Sequence, residues 1–202
     1  MKNKAAVDAL EAIQASVAAL VSYVRRGRDG SVSVGSDPLR EQADACLDGL
    51  AESARVEAML AAVKVHLTDS YAEKAAALAS PAVTPAEHTA QEMAVVAEVA
   101  CVLTVSERAA GALLAQSREL STALPLTLAA LQAGSISWQH ARIMVHETAN
   151  LRPAGAAALE AHFLDPDAPN PARGCPAGEL VPSRFRHKAR TWRERHHPDS
   201  IE

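Results

Sequence analysis

Aromatic residues are scarce in this chain, with two Trp, two Tyr and two Phe, 3% of the total. Its interior must therefore be filled by aliphatic and small side chains. Long β-branched runs are also missing, which argues against a sheet and leaves helices packed through Ala and Leu. The three cysteines are Cys46, Cys101 and Cys175. Their odd number and wide spacing exclude a disulfide framework, and no Cys-x-x-Cys or Cys-His spacing suggests zinc. A reducing, cytoplasmic setting is expected. No stretch reaches the roughly 18 uncharged apolar residues of a membrane span. Ile13–Val24 is uncharged but short, and Asp8 and Glu11 precede it, so it is neither a span nor a signal peptide. A Gly-rich phosphate loop, a nucleophile elbow and a metal-ligand cluster are all missing. No cofactor, metal or catalytic residue is therefore expected, and a self-sufficient enzyme is the least favoured class.

Apolar residues make up 49% of the 202 positions, enough for one domain with a substantial core. The expected fold is all-α, a bundle of about seven or eight helices with helix-turn-helix-like corners. Net charge is −4 and unevenly placed. Arg184, Arg186, Lys188, Arg190, Arg193 and Arg195 stand against Glu194 alone, a local net of +5 that leaves −9 for the rest. An acidic body with a basic end follows.

In chain order, residues 1–36 read as an amphipathic helix over Ala5–Val24 and a Gly/Ser/Arg linker from Arg25. Residues 37–164 form the helical core. Asp37-Pro38 starts a long helix, or two collinear ones broken near Gly49. Thr84-Pro85-Ala86-Glu87 is a capping box. Leu124-Pro125 opens a short helix that Gly134 should close, Ser135 or Ser137 caps the next, and Pro153–Leu164 is another. Residues 165–182 read as an exposed Pro-rich loop, and residues 183–202 as a basic helix capped by Ser183, with a tail.

Two corners attract functional readings. Glu98–Leu120 reads as two helices joined by a three- or four-residue turn, with Val99, Leu103, Val105, Ala110 and Leu113 inward and Ala100 small at the crossing. The second helix of such a corner can enter a DNA major groove. Its outward positions would be Ser106, Glu107, Arg108, Gly111 and Ala112, and of these Arg108 alone suits a phosphate or a base edge. Thr104 also stands where Gly is usual, so a purely structural corner is the preferred reading. At the second corner, His140 and Arg142 either hold a phosphate at a helix start or tie helix ends together. In the last helix, Phe185, Ala189 and Trp192 share one face among the cations. That helix either tracks a phosphate backbone or docks on the acidic body.

The segment LTVSERAAGALLAQSRELSTALPLTLAALQAGSISWQHARIMVHETANL resembles the core of an actinobacterial family, the domain of unknown function 222, or 13E12 repeat, family. The LPLTLAALQAG stretch, the Ser137, His140, Ala141, Arg142 run and Glu147-Thr148 carry the resemblance, which covers roughly Pro38 to the C-terminus. Members commonly bear a C-terminal HNH endonuclease domain, and some lie in mobile elements. The resemblance implies a helical module that accompanies a DNA-cutting enzyme. The ββα-metal unit of an HNH site is not recognisable here, so a short or truncated member is expected. The expected function is non-catalytic binding or positioning of double-stranded DNA, with Arg108, His140, Arg142 and the six cations of the last helix as candidate contacts. The alternative is a protein-interaction or structural domain without nucleic-acid contact.

Overall fold

The computed structural model describes residues 2–29, 37–168 and 177–198. It is an all-α protein: eight α-helices and one 3₁₀ turn, with no strand among the described residues. The helices are α1 (Lys2–Asp29), α2 (Pro38–Leu78), α3 (Pro85–Leu103), α4 (Glu107–Thr122), α5 (Pro125–Gln132), α6 (Trp138–Thr148), α7 (Pro153–Leu164) and α8 (Pro182–His196).

Helix starts follow the local chemistry of the sequence. Asp37 accepts from Leu39 N at 3.1 Å, with Pro38 at the first position. Thr84 and Glu87 form the reciprocal capping box. Backbone bonds from Val83 and Thr84 hold the Glu87 carboxyl below its ordinary range. α2 is one unbroken helix of 41 residues, since Gly49 meets Tyr23 of α1 rather than breaking the chain. α1 runs to Asp29, further than its apolar period suggests. Of the expected linker, 30–36 lies outside the described residues.

α1 and α2 form an antiparallel hairpin, with Tyr23 near Gly49 and Ile13 packed among Val56, Met59 and Val63. The other side of α2 joins the main core through Ala58, Ala62 and Val65. There they meet Leu120, Leu124, Leu131, Ile143, Met144, Leu159 and Phe185. His66, at the boundary of this side, hydrogen-bonds Gln132.

The α3–α4 corner has the expected length, Thr104 to Ser106. Thr104 adopts φ 55° and ψ 45°, the left-handed conformation that a β-branched residue tolerates poorly. Val105 N then donates to Ala100 O at 3.0 Å, closing the end of α3. That reversal turns Val105 outward, contrary to its expected inward place. Ser106 accepts from Ala109 N as the α4 cap, and Gly111 faces Val96 of α3. Ser106 is exposed as expected, at the cap position just before α4, whereas Gly111 is half-buried against α3 rather than outward. Val99, Ala100 and Ala110 are buried together, with Leu103 against them.

The α5–α6 corner closes through Gly134 at φ 70°. Here glycine is required twice over, because a side chain would also strike Arg55 of α2. Part of the segment read as an exposed loop is docked on this corner. Ala177 and Leu180 are buried, and a Cβ on Gly178 would fall 1.8 Å from Ser135 O. α8 begins at Pro182 with Val181 as its cap residue, so Ser183 sits inside the first turn.

Candidate functional site

Of the residues that carry the resemblance, His140, oriented by Ser137, and Glu147 seat α8. His140 is 4% exposed. Its Nδ1 accepts from Ser137 N at 3.3 Å and lies 2.7 Å from Ser137 Oγ. Its Nε2 lies 2.7 Å from Leu180 O, the carbonyl two residues ahead of Pro182. With Nδ1 accepting from the backbone, the ring proton is assigned to Nε2, which donates to Leu180. Both ring nitrogens are therefore used inside the fold. His140 is not a surface contact for phosphate, and of the two readings for it the tie between helix ends is the one seen. Its ring also packs on Phe185, with centroids 5.2 Å apart.

Phe185 is the anchor of α8. It is fully buried, tilted against His140 on one side and edge-on to Phe163 of α7 on the other. Ala189 is buried one turn later, and Trp192 continues the face, stacked on His196 and near His162. The apolar face of α8 thus docks on the body as the sequence allows.

The cations divide. Arg193 is turned inward, its Nη1 3.0 Å from Oε2 of the buried Glu147 on α6. The pair is close but poorly directed, since Glu147 Oε2 and Arg193 Nε make no aligned hydrogen bond. Arg193 is thus a docking residue, not an outward contact. Arg190 Nε bonds Glu194 Oε1 at 2.7 Å, an exposed pair that raises the guanidinium above its ordinary range. Arg184, Arg186, Lys188 and Arg195 are exposed and pair with no carboxylate among the described residues. At 100° per residue, Arg184, Lys188 and Arg195 fall within about 40° of arc, with Thr191 between them, along roughly 16 Å of helix. Arg186 and Arg190 lie on the opposite flank.

The other candidates stand apart from this edge. Arg142 is exposed on α6 and reaches back to Gln139. Arg108 is exposed in the first turn of α4, beside Glu107. No family model, curated protein or solved structure matches the chain. Among the described residues no group of three or more His, Cys, Asp or Glu is placed to hold a metal ion. No helix there is long and apolar enough to cross a membrane.

One buried group escaped the sequence reading. Glu160 of α7 is 2% exposed and accepts from Thr127 N at 2.6 Å. It caps α5, whose own cap residue Leu124 has no side-chain acceptor. Burial pushes the Glu160 carboxyl up, and the bond from Thr127 partly offsets this. The available signal was compositional: Glu160 is the one acidic residue of PAGAAALEAHFL.

Proposed function

We propose that this chain is a non-catalytic helical module that binds or positions double-stranded DNA through the outward edge of α8, as the resemblance to the nuclease-associated 13E12 repeat family implies. The observation that carries the reading is the division of the cations. One is used to dock the helix, and Arg184, Lys188 and Arg195 are left on one open edge of a helix whose adjoining apolar face is anchored. A fixed cationic edge loses little freedom on meeting a phosphate backbone. Arg186 and Arg190 extend the positive field, and Arg142 and Arg108 are outlying contacts. Exposed, unpaired Cys46 and Cys101 fit the reducing cytoplasmic setting such a role requires.

The test is fluorescence anisotropy on duplex DNA over a range of salt. Three phosphate contacts give a slope of log affinity against log salt of about −2.7. Replacing Arg184, Lys188 and Arg195 by Ala should flatten that slope and weaken binding on all sequences alike. The helical circular dichroism should stay unchanged, because none of the three holds the fold. No binding at the lowest salt overturns the reading.

A second reading, a protein-interaction domain without nucleic-acid contact, rests on the acidic body and on Glu107 at the start of α4. It predicts that Arg186→Gln, Lys188→Gln and Arg190→Gln together leave partner binding unaltered.

A further inference from the structure

The N-terminal hairpin shows more apolar surface than it covers. Along α2, positions 39, 46, 53, 60, 67 and 74 form one row at seven-residue spacing, and 43, 50, 57, 64, 71 and 78 form the row beside it. Leu39, Leu50, Leu60, Leu67 and Leu78 lie in these rows and are 48–87% exposed. Ser53, Glu57, Lys64 and Lys74 interrupt the rows. A seven-residue spacing of apolar residues is the pattern that keeps one seam facing another helix. α1 is not that helix, because it packs on a different face through Val56, Met59 and Val63, and α3 meets the second row at Tyr71, whose hydroxyl donates to Glu98. α1 itself presents Val7, Leu10, Val17, Val21 and Val24 at three- and four-residue spacing, 44–65% exposed. Because the two helices are antiparallel, helical geometry places both stripes on the same side of the hairpin.

We infer that this side of the α1–α2 hairpin is a dimer interface, occupied by the same face of a second copy of the chain with the two α2 helices antiparallel. Area supports the occupant. α2 is about 60 Å long and α1 about 40 Å, each roughly 10 Å wide, so the face offers about 1000 Å² per partner. A stable interface needs about 800 Å² per partner. Charge supports the orientation. Exposed Glu57 and Lys64 are the charges at the centre of the rows. Parallel alignment would set each against its like. Antiparallel alignment centred near Leu60 brings Glu57 towards Lys64 of the partner subunit, in both halves of a two-fold pair.

Sedimentation equilibrium of the full chain tests this. The expected mass is twice 21.2 kDa at micromolar concentration. Leu50→Glu with Leu67→Glu should give the single-chain mass with unchanged helical circular dichroism, since both sites are exposed. If that variant loses helicity, Leu60→Lys is read in the same way. Lys64→Glu alone should raise the dissociation constant several-fold, and adding Glu57→Lys should restore it; a parallel pair would show no such rescue. With Cys101→Ser and Cys175→Ser as background, oxidation should not link Cys46 to Cys46, because antiparallel helices hold them about 43 Å apart. A single-chain mass at every concentration, a Cys46–Cys46 link, or binding of single chains to phosphatidylcholine vesicles would each overturn the proposal. DNA binding through α8 is read separately, so the two proposals fail independently.

Discussion

The two halves of the molecule handle apolar surface in opposite ways. Eighteen large apolar side chains are exposed among the described residues, and fifteen of them precede Thr104. From Ser106 onward the same residue types are mostly inside: Leu120, Leu124, Leu131, Met144, Leu159 and Phe185 are all fully buried. The helices of the second half are short, and each turns back on a core shared by all of them. α1 and α2 are long and lie side by side, so each covers one face of the other and leaves a second face open. Stability is therefore concentrated in α4–α8 with the adjoining side of α2, and spare surface in α1–α3.

The sharpest way to break that comparison is truncation on both sides of Thr104. Phe185→Ala should cost about 3–5 kcal/mol, the usual penalty for emptying a ring-sized site. Val102→Ala, at a side chain 82% exposed, should change stability by no more than about 0.5 kcal/mol. Urea midpoints of the two variants measure the contrast, and equal losses would abolish it. Within α8 the same logic separates docking from open cations. Arg193→Met leaves Glu147 buried without its counter-charge and should cost about 3 kcal/mol. Arg184→Met should leave the midpoint where it is and show its effect in DNA affinity.

A pH scan sharpens the picture of the core. Glu160 has its carboxyl raised from the ordinary 4.5 by burial. Between 4.5 and the raised native value, the native state holds a proton that the unfolded chain has released. Stability contributed by the protonated form is complete below 4.5 and is lost as pH rises from there through the raised native value. Glu160→Gln keeps an oxygen acceptor for Thr127 N but cannot ionise. Its urea midpoint should lack that decline, and a decline that persists in the variant would assign it to another group.

Helix ends were legible because their chemistry is local. Asp37-Pro38, Thr84 to Glu87, Pro125 and Gly134 each act within four residues, and each marks the boundary expected from it. The site was legible only in part. The sequence placed the cations on the last helix and Phe185, Ala189 and Trp192 on its inner face. It could not divide the cations, because Glu147 is 46 positions before Arg193 and nothing local joins them. His140 stayed open between two readings for the same reason, since its acceptor is the carbonyl of Leu180. The docked end of the Pro-rich segment depends on Gly178 fitting against Ser135, a contact no spacing rule reports.

At the corner between the two halves the expected effect has the opposite sign. Thr104 is the one non-glycine residue with positive φ among the described residues. Its side chain is exposed and caps nothing, so no packing compensates the left-handed backbone. Glycine adopts that conformation without the Cβ clash, at some entropic cost in the unfolded chain. Thr104→Gly should therefore stabilise the fold by about 1 kcal/mol, or roughly 2–4 °C in Tm for a chain of this length. The Val105 to Ala100 bond that closes α3 stays in place, so the corner keeps its geometry. If α4 reads DNA as a recognition helix, a relieved corner leaves affinity unchanged. A loss of stability would mean that Thr104 makes an interaction which outweighs its strain.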